Sequence, residues 1–181
     1  MSAGKHVVIV SFGGGIASSI AGPLDVFEFA RANAEDASDF RVTVLSKDGA
    51  AVNCGGSVTV TPTGSVYDVG DADFVFLAGM PCDVDAVLAD NDAVCDWLRQ
   101  QVGRGAEIAA VCPSQALLAH SGLLNGRNVA MHWSLIDEVR ARWPAVNWTT
   151  DRMVVEDRGI YSCCGAGAAI DLALYIVDGL C

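Results

Sequence analysis

Three stretches of the chain, HVVIVSF (6–12), ADFVFLAG (72–79) and AEIAAVC (106–112), are apolar almost without interruption. A strand that shows no polar face is covered on both sides, which is the condition of a strand inside a parallel sheet. Segments with helical spacing lie between them. Ile20, Leu24, Phe27 and Ala30 or Arg31 fall near one helical face. Pro23 interrupts that run, which predicts a helix starting near Gly22 with Pro23 in its tolerated first turn, or a local break there. NDAVCDWLRQQVGRG (91–105) reads as an amphipathic helix capped by Asp90 or Asn91 and stopped by Gly103 or Gly105. Strands alternating with helices require crossover connections, so the pattern predicts an α/β fold with a mostly parallel sheet and helices on both faces.

The remaining segments fit that plan. FRVTVLS (40–46) is another strand, and SQALLAHSG (114–122) is the helix after the 106–112 strand. Ser57 to Thr61 alternates in the manner of a small hairpin or an edge strand. NVAMHW (128–133) is a short strand, followed by a helix over SLIDEVRARWP that starts at a serine cap and ends at Pro144. RMVVEDRGIYSCC (152–164) predicts a hairpin turning at Asp157 to Gly159, and GAGAAIDLALYIVDGL (165–180) a last apolar helix.

At 181 residues, 52% hydrophobic and 18% charged, the chain can bury a sizeable core, and residues 1–181 are expected to form one domain. No apolar run reaches the roughly 18 residues that span a bilayer, so no membrane partner is expected. The first apolar run reads as a strand rather than a signal peptide. A net charge of -11 repels a phosphate backbone, which makes this chain alone a poor nucleic-acid binder. The seven cysteines (Cys54, Cys82, Cys95, Cys112, Cys163, Cys164 and Cys181) include no Cys-x-x-Cys pair. That argues against a zinc site and for a reduced, cytoplasmic protein with no metal. Gly13 to Gly15 lack the spacing of a dinucleotide or phosphate loop, and no cofactor is expected.

Sites in parallel sheets lie beyond the carboxyl ends of the strands. Four loops qualify: Gly13 to Ser19, Gly79 to Asp83, the turn at Cys112, and the segment around His132. Cys112 stands between a strand and a helix, where a nucleophile is exposed on a sharp turn in several enzyme classes. The helix dipole there should lower its pKa. Of the three histidines, His6 starts a strand at the wrong end of the sheet, and His120 lies about two turns into the next helix. His132 is the best candidate for a base, with a hydrogen-bonded core position beside Trp133 as the alternative. Pro113 weighs against acyl-transfer chemistry. It has no N–H to serve as an oxyanion donor, and it suits the first position of a helix.

The stretches VVIVSFGGGIASSIAGPLDVFEFARAN, ADFVFLAGMP, AAVCPSQALLAHSGLLNGRNVAMHWSLIDEVRARWP and GIYSCCGAGAAIDLALYIVDGL together resemble the ThiJ/PfpI superfamily, nearly end to end. The resemblance implies the class I glutamine amidotransferase-like fold, a flavodoxin-like three-layer sandwich. ASSIAGPLDVF, SGLLNGR and GAGAAIDLAL are most similar to the N-terminal sensor domain of AraC-type transcriptional regulators, and isonitrile hydratases are the nearest enzymatic relatives.

The resemblance places the family's elbow cysteine at Cys112, the backbone that lines the site at Gly79 and Met80, and a neighbouring histidine at His132. The acid that catalytic members carry in the first helix falls on Ser19, while Asp25 is a different family position. Pro113 and Ser114 stand where a pair such as Thr-Gly is usual. The histidine that follows the cysteine in protease-like members is absent.

Three readings follow. The first is a ligand-sensing, dimerising regulator domain with a pocket around Cys112. It would reach DNA only through a helix-turn-helix domain absent from this chain. The second is a stand-alone cysteine-dependent hydro-lyase or hydrolase, with Cys112 attacking and His132 or Asp25 moving protons. The third is a redox protein whose Cys112 is oxidised to a sulfinic acid. A homodimer and a small-molecule ligand are expected partners.

Overall fold

The computed structural model describes residues 4–33 and 40–180. In chain order the elements are β1 (Lys5–Val10), α1 (Ser18–Asn33), β2 (Phe40–Ser46), β3 (Val52–Asn53), β4 (Thr59–Val60), β5 (Gly64–Ser65) and β6 (Phe74–Leu77). They continue as α2 (Val84–Leu88), α3 (Asp92–Gly103), β7 (Glu107–Val111), α4 (Gln115–His120), β8 (Asn128–Ala130) and α5 (Ile136–Arg142). β9 (Asn147–Thr149), β10 (Val154–Asp157), β11 (Ile160–Cys163) and α6 (Ala169–Leu180) complete the chain.

Seven strands form the main sheet in the order β10-β11-β7-β6-β1-β2-β5. All its pairings are parallel except the β10–β11 hairpin. The three apolar runs become β1, β6 and β7, side by side in the middle, where both faces are covered. On one face Val7, Ile9, Phe76 and Ala109 pack against Ile20 and Phe27 of α1 and Leu172 and Ile176 of α6. On the other face Val8, Val10, Val75 and Ala110 pack against Val94 and Leu98 of α3 and Leu117 and Leu118 of α4. The result is the expected flavodoxin-like arrangement of helix, sheet and helix layers.

Three details differ from the sequence reading. First, α1 begins at Ser18 and carries Pro23 inside it, so the helix neither starts at Gly22 nor breaks. Proline removes the bond its N–H would make to the carbonyl four residues back, and its ring crowds that carbonyl. The buried face of Ser19, Ile20, Pro23 and Phe27 holds the helix together across that loss. Second, β8 does not join the main sheet. It pairs in parallel with β9, which the sequence reading missed, in a separate two-stranded sheet. Third, Asn91 precedes α3 without a side-chain cap bond, because its Nδ2 donates to the Val87 carbonyl at 2.8 Å.

The hairpin turn forms where expected. Arg158 and Gly159 both take left-handed φ values, 52° and 77°, the backbone of a two-residue hairpin loop. α6 lies against α1 at Gly22, where a Cβ would come within 2.6 Å of Ile170 Cγ1.

Candidate functional site

The site is built at the carboxyl ends of β1, β6, β7 and β11. Gly15 brings the loop after β1 against the loop after β6. Its N–H donates to the Phe12 carbonyl at 3.0 Å, and the Ile16 N–H donates to the Gly79 carbonyl at 3.1 Å. A Cβ on Gly15 would lie 2.7 Å from the Phe12 oxygen and 2.9 Å from the Gly79 oxygen, so only glycine fits. The glycine run therefore serves close backbone approach.

Ser19 is completely buried in the first turn of α1. Its Oγ donates to the Ile16 carbonyl at 2.6 Å and accepts the Gly79 N–H at 2.8 Å. The position where the resemblance expects an acid is thus a neutral hydroxyl with both partners inside the protein. Met80, 4% exposed, follows Gly79 into the same core cluster as Cys112.

Cys112 leaves β7 and is 3% exposed. Its Sγ donates to Met131 Sδ at 3.4 Å. Burial pushes the thiol up to about 12, against a backbone hydrogen bond from His132 that favours the thiolate. Nearby Cys82 and Cys164 push it further in the same direction. This runs opposite to the lowering expected from a helix dipole, and desolvation is its largest cause. The helix is also displaced. Pro113 is buried in the turn, and α4 begins only at Gln115. The Ser114 N–H and Oγ both bond the Val111 carbonyl, at 2.9 and 2.7 Å, which closes the turn before the helix starts. Ser114 is wholly buried, and its hydroxyl also lies 3.3 Å from the Leu77 carbonyl, so it holds the turn.

His132 presents its main chain, not its ring, to Cys112. The imidazole is half-exposed, with Nδ1 2.7 Å from Ser134 Oγ and the ring against Trp133 at a centroid distance of 5.1 Å. Asp25 is exposed on α1. It lies two residues from buried Pro23, so the helical turn points it away from the buried face. His6 lies at the opposite end of the sheet, held by Thr43 Oγ1 at 2.7 Å, and His120 is exposed 3.4 Å from Asp92 Oδ1. The structure thus brings together Ser19, Gly79, Met80, Pro113, Ser114 and Cys112. The His132 ring bonds Ser134 instead, and Asp25 lies on the exposed side of α1.

Two residues at the site went unread in the sequence. Met131 covers the thiol, and Gln115 is a fully buried amide ahead of the apolar run Ala116 to Ala119. Gln115 Nε2 donates to the Cys163 carbonyl at 2.8 Å and to the Ala130 carbonyl at 3.2 Å, tying β8 to β11 and the elbow. Its Oε1 is buried without a protein partner. A polar residue among QALLA was the available signal. Among the described residues, no group of three or more His, Cys, Asp or Glu is placed to hold a metal ion.

The arrangement provides a protonated thiol beside the Met131 thioether, with the His132 main chain, Cys82 and Cys164 acting on the sulfur. Burial keeps the Cys112 thiol protonated, which makes it a weaker nucleophile than a thiolate.

A flavodoxin-like sheet with a cysteine on the turn after a central strand defines the class. Residues 5–179 match the DJ-1/PfpI family, and the chain belongs to it. The HTH-type transcriptional regulator CdhR of Pseudomonas aeruginosa is 29% identical over 147 residues, covering 81% of this chain and 42% of the regulator. Protein DJ-1alpha of Drosophila melanogaster is 31% identical over 132 residues, covering 71% of this chain and 59% of that protein. The chain spans less than two thirds of the length of either. An AraC family transcriptional regulator from Pseudomonas putida shares the fold with a TM-score of 0.80 at 19% identity, over 97% of this chain and 92% of that one. No helix among the described residues is long and apolar enough to cross a membrane.

Proposed function

We propose that this chain is the small-molecule-sensing, dimerising domain of an AraC-type transcriptional regulator, and that its Cys112 pocket binds without turning over. One observation carries the reading. Ser19 stands where an acid would serve the thiol, and its hydroxyl is engaged by Ile16 and Gly79 while Cys112 stays protonated and buried. The similarity to CdhR supports the regulator class. Contact with DNA then belongs to a separate domain, as the net charge of -11 also argues. The reading needs no metal or cofactor. Exposed Ile170 and Leu174 on α6 and Phe29 on α1 supply apolar surface for a homodimer.

The test is a thermal-shift screen of small metabolites on the purified chain, followed by recovery of any hit. A ligand that binds only the folded state raises the Tm by mass action. The reading expects a hit that is recovered chemically unchanged and also shifts Cys112→Ala. Conversion of the hit to a product, abolished in Cys112→Ala, would establish the enzyme reading instead. Light scattering should give the mass of two chains, and a monomer at micromolar concentration would remove the dimer.

A further inference from the structure

The pairing of β7 with β11 sets Val111 opposite Cys163. One residue further, the Cys112 N–H donates to the Cys163 carbonyl at 3.3 Å, a parallel-sheet bond that places Cys164 beside Cys112. Val111 and Cys163 both enter the core under α1 and α6, whereas Cys112 enters the opposite core. Cys112 and Cys164 are each the first residue past the end of their strand, and the Cys164 N–H still donates to the Met153 carbonyl at 3.0 Å, so the register carries one step on and sets the two residues side by side. Cys82, Cys164 and Cys163 all interact electrostatically with Cys112, and of these Cys164 is the one the β7–β11 register sets directly opposite it. Neighbouring strands lie about 4.8 Å apart, within the roughly 4.4–6.8 Å between Cα atoms that a disulfide bridges. Both cysteines are free. Cys164 is half-exposed, while Cys112 is buried.

We propose that Cys164 and Cys112 are a redox pair that closes into a reversible disulfide across the ends of β11 and β7 in response to hydroperoxides. The exposure difference sets the order of events. The accessible Cys164 sulfur attacks the peroxide, the O–O bond breaks, and a sulfenic acid forms. The thiol proton leaves with the departing oxygen as an alcohol, or as water when the oxidant is hydrogen peroxide. The Cys112 sulfur then attacks the sulfenic sulfur. The S–S bond forms, the S–O bond breaks, and the Cys112 proton departs with the oxygen as water. The two thiols together lose two electrons and the hydroperoxide gains them. Cys112 is shielded from direct oxidation by burial and lets the neighbouring sulfur meet the oxidant first. Closing the bridge takes the Cys112 sulfur from Met131 Sδ. This inference does not rest on the ligand-sensing reading and survives its failure.

The test uses the wild-type chain treated with near-equimolar hydrogen peroxide, alkylated with N-ethylmaleimide, digested with trypsin without reductant and weighed by mass spectrometry. Arg104 and Arg127 bracket the Cys112 peptide, and Arg158 precedes the peptide holding Cys163, Cys164 and Cys181. The expected product is these two peptides joined with the loss of two hydrogens and separated by dithiothreitol. Cys164→Ser should lose the joined species, and Cys163→Ser should keep it. The proposal is overturned if the join survives Cys164→Ser, or if Cys112 links instead to the Cys82 peptide. It is equally overturned if Cys112 gains oxygen atoms with no joined product, or if every thiol remains open to alkylation after peroxide.

Discussion

The Ser19 hydroxyl accepts the Gly79 N–H at 2.8 Å and donates to the Ile16 carbonyl at 2.6 Å, so one side chain fastens the first turn of α1 to the loop after β6. Ser19→Ala leaves the buried Gly79 donor without an acceptor. An unsatisfied buried donor costs about 1–3 kcal/mol. Urea unfolding should report a loss of that size with an unchanged m-value, and a loss below about 0.5 kcal/mol would mean the bond is replaced.

The glycine run allows a paired test. Gly15→Ala drives a Cβ into two carbonyl oxygens at 2.7 and 2.9 Å, whereas a Cβ on Gly13 meets nothing within 4 Å. Overpacking against rigid backbone typically costs about 1–3 kcal/mol. Gly15→Ala should therefore lower the Tm by several degrees and Gly13→Ala should leave it nearly unchanged. Equal effects would count against the close approach described for Gly15.

Alkaline pH should weaken the fold through its buried thiols. Burial raises Cys112 from 9.0 to about 12, Cys163 from 9.0 to about 12, and Cys95 from 9.0 to about 11. The folded state therefore keeps protons that the unfolded chain releases. The stability is fully present below pH 9 and is lost as pH rises through 9 to about 12, by up to about 1.4 kcal/mol per unit for each thiol. Denaturant midpoints measured across that range should fall, and Cys112→Ala should flatten the slope. A midpoint that stays level up to pH 11 would show that these thiols ionise freely.

Gln115 joins the small β8–β9 sheet to the main one. Gln115→Met keeps the length of the side chain and removes the donor to the Ala130 and Cys163 carbonyls. Hydrogen exchange at 129–132 should accelerate relative to β6, because the wall beside Cys112 loses part of its attachment. Ser162 Oγ still accepts the Ala130 N–H at 2.9 Å, so the acceleration should be local. Unchanged exchange at 129–132 would assign Gln115 no holding role.

The strands of the main sheet could be read directly, because burial on both faces leaves an apolar run that no helix period explains. The Arg158–Gly159 turn was equally clear, since a glycine beside a polar residue between apolar segments is local chemistry. The placement of Cys112 on the turn after β7 was also legible. Its chemical state was not. The sulfur that covers it belongs to Met131, nineteen residues on, and its desolvation depends on packing that no local spacing encodes. The same holds for β8 and β9, each three residues long. Their pairing depends on how α5 folds back between them. Pro23 misled because local propensity opposes a proline in a helix, while the buried face of α1 outweighs the missing bond.

Gly22 gives the two helices beneath the sheet a mechanical relation. With no side chain at Gly22, Ile170 of α6 lies directly over the α1 backbone, where a Cβ would meet its Cγ1 at 2.6 Å and its Cδ1 at 2.9 Å. The spacing of the two helices at this point thus hangs on one missing methyl group.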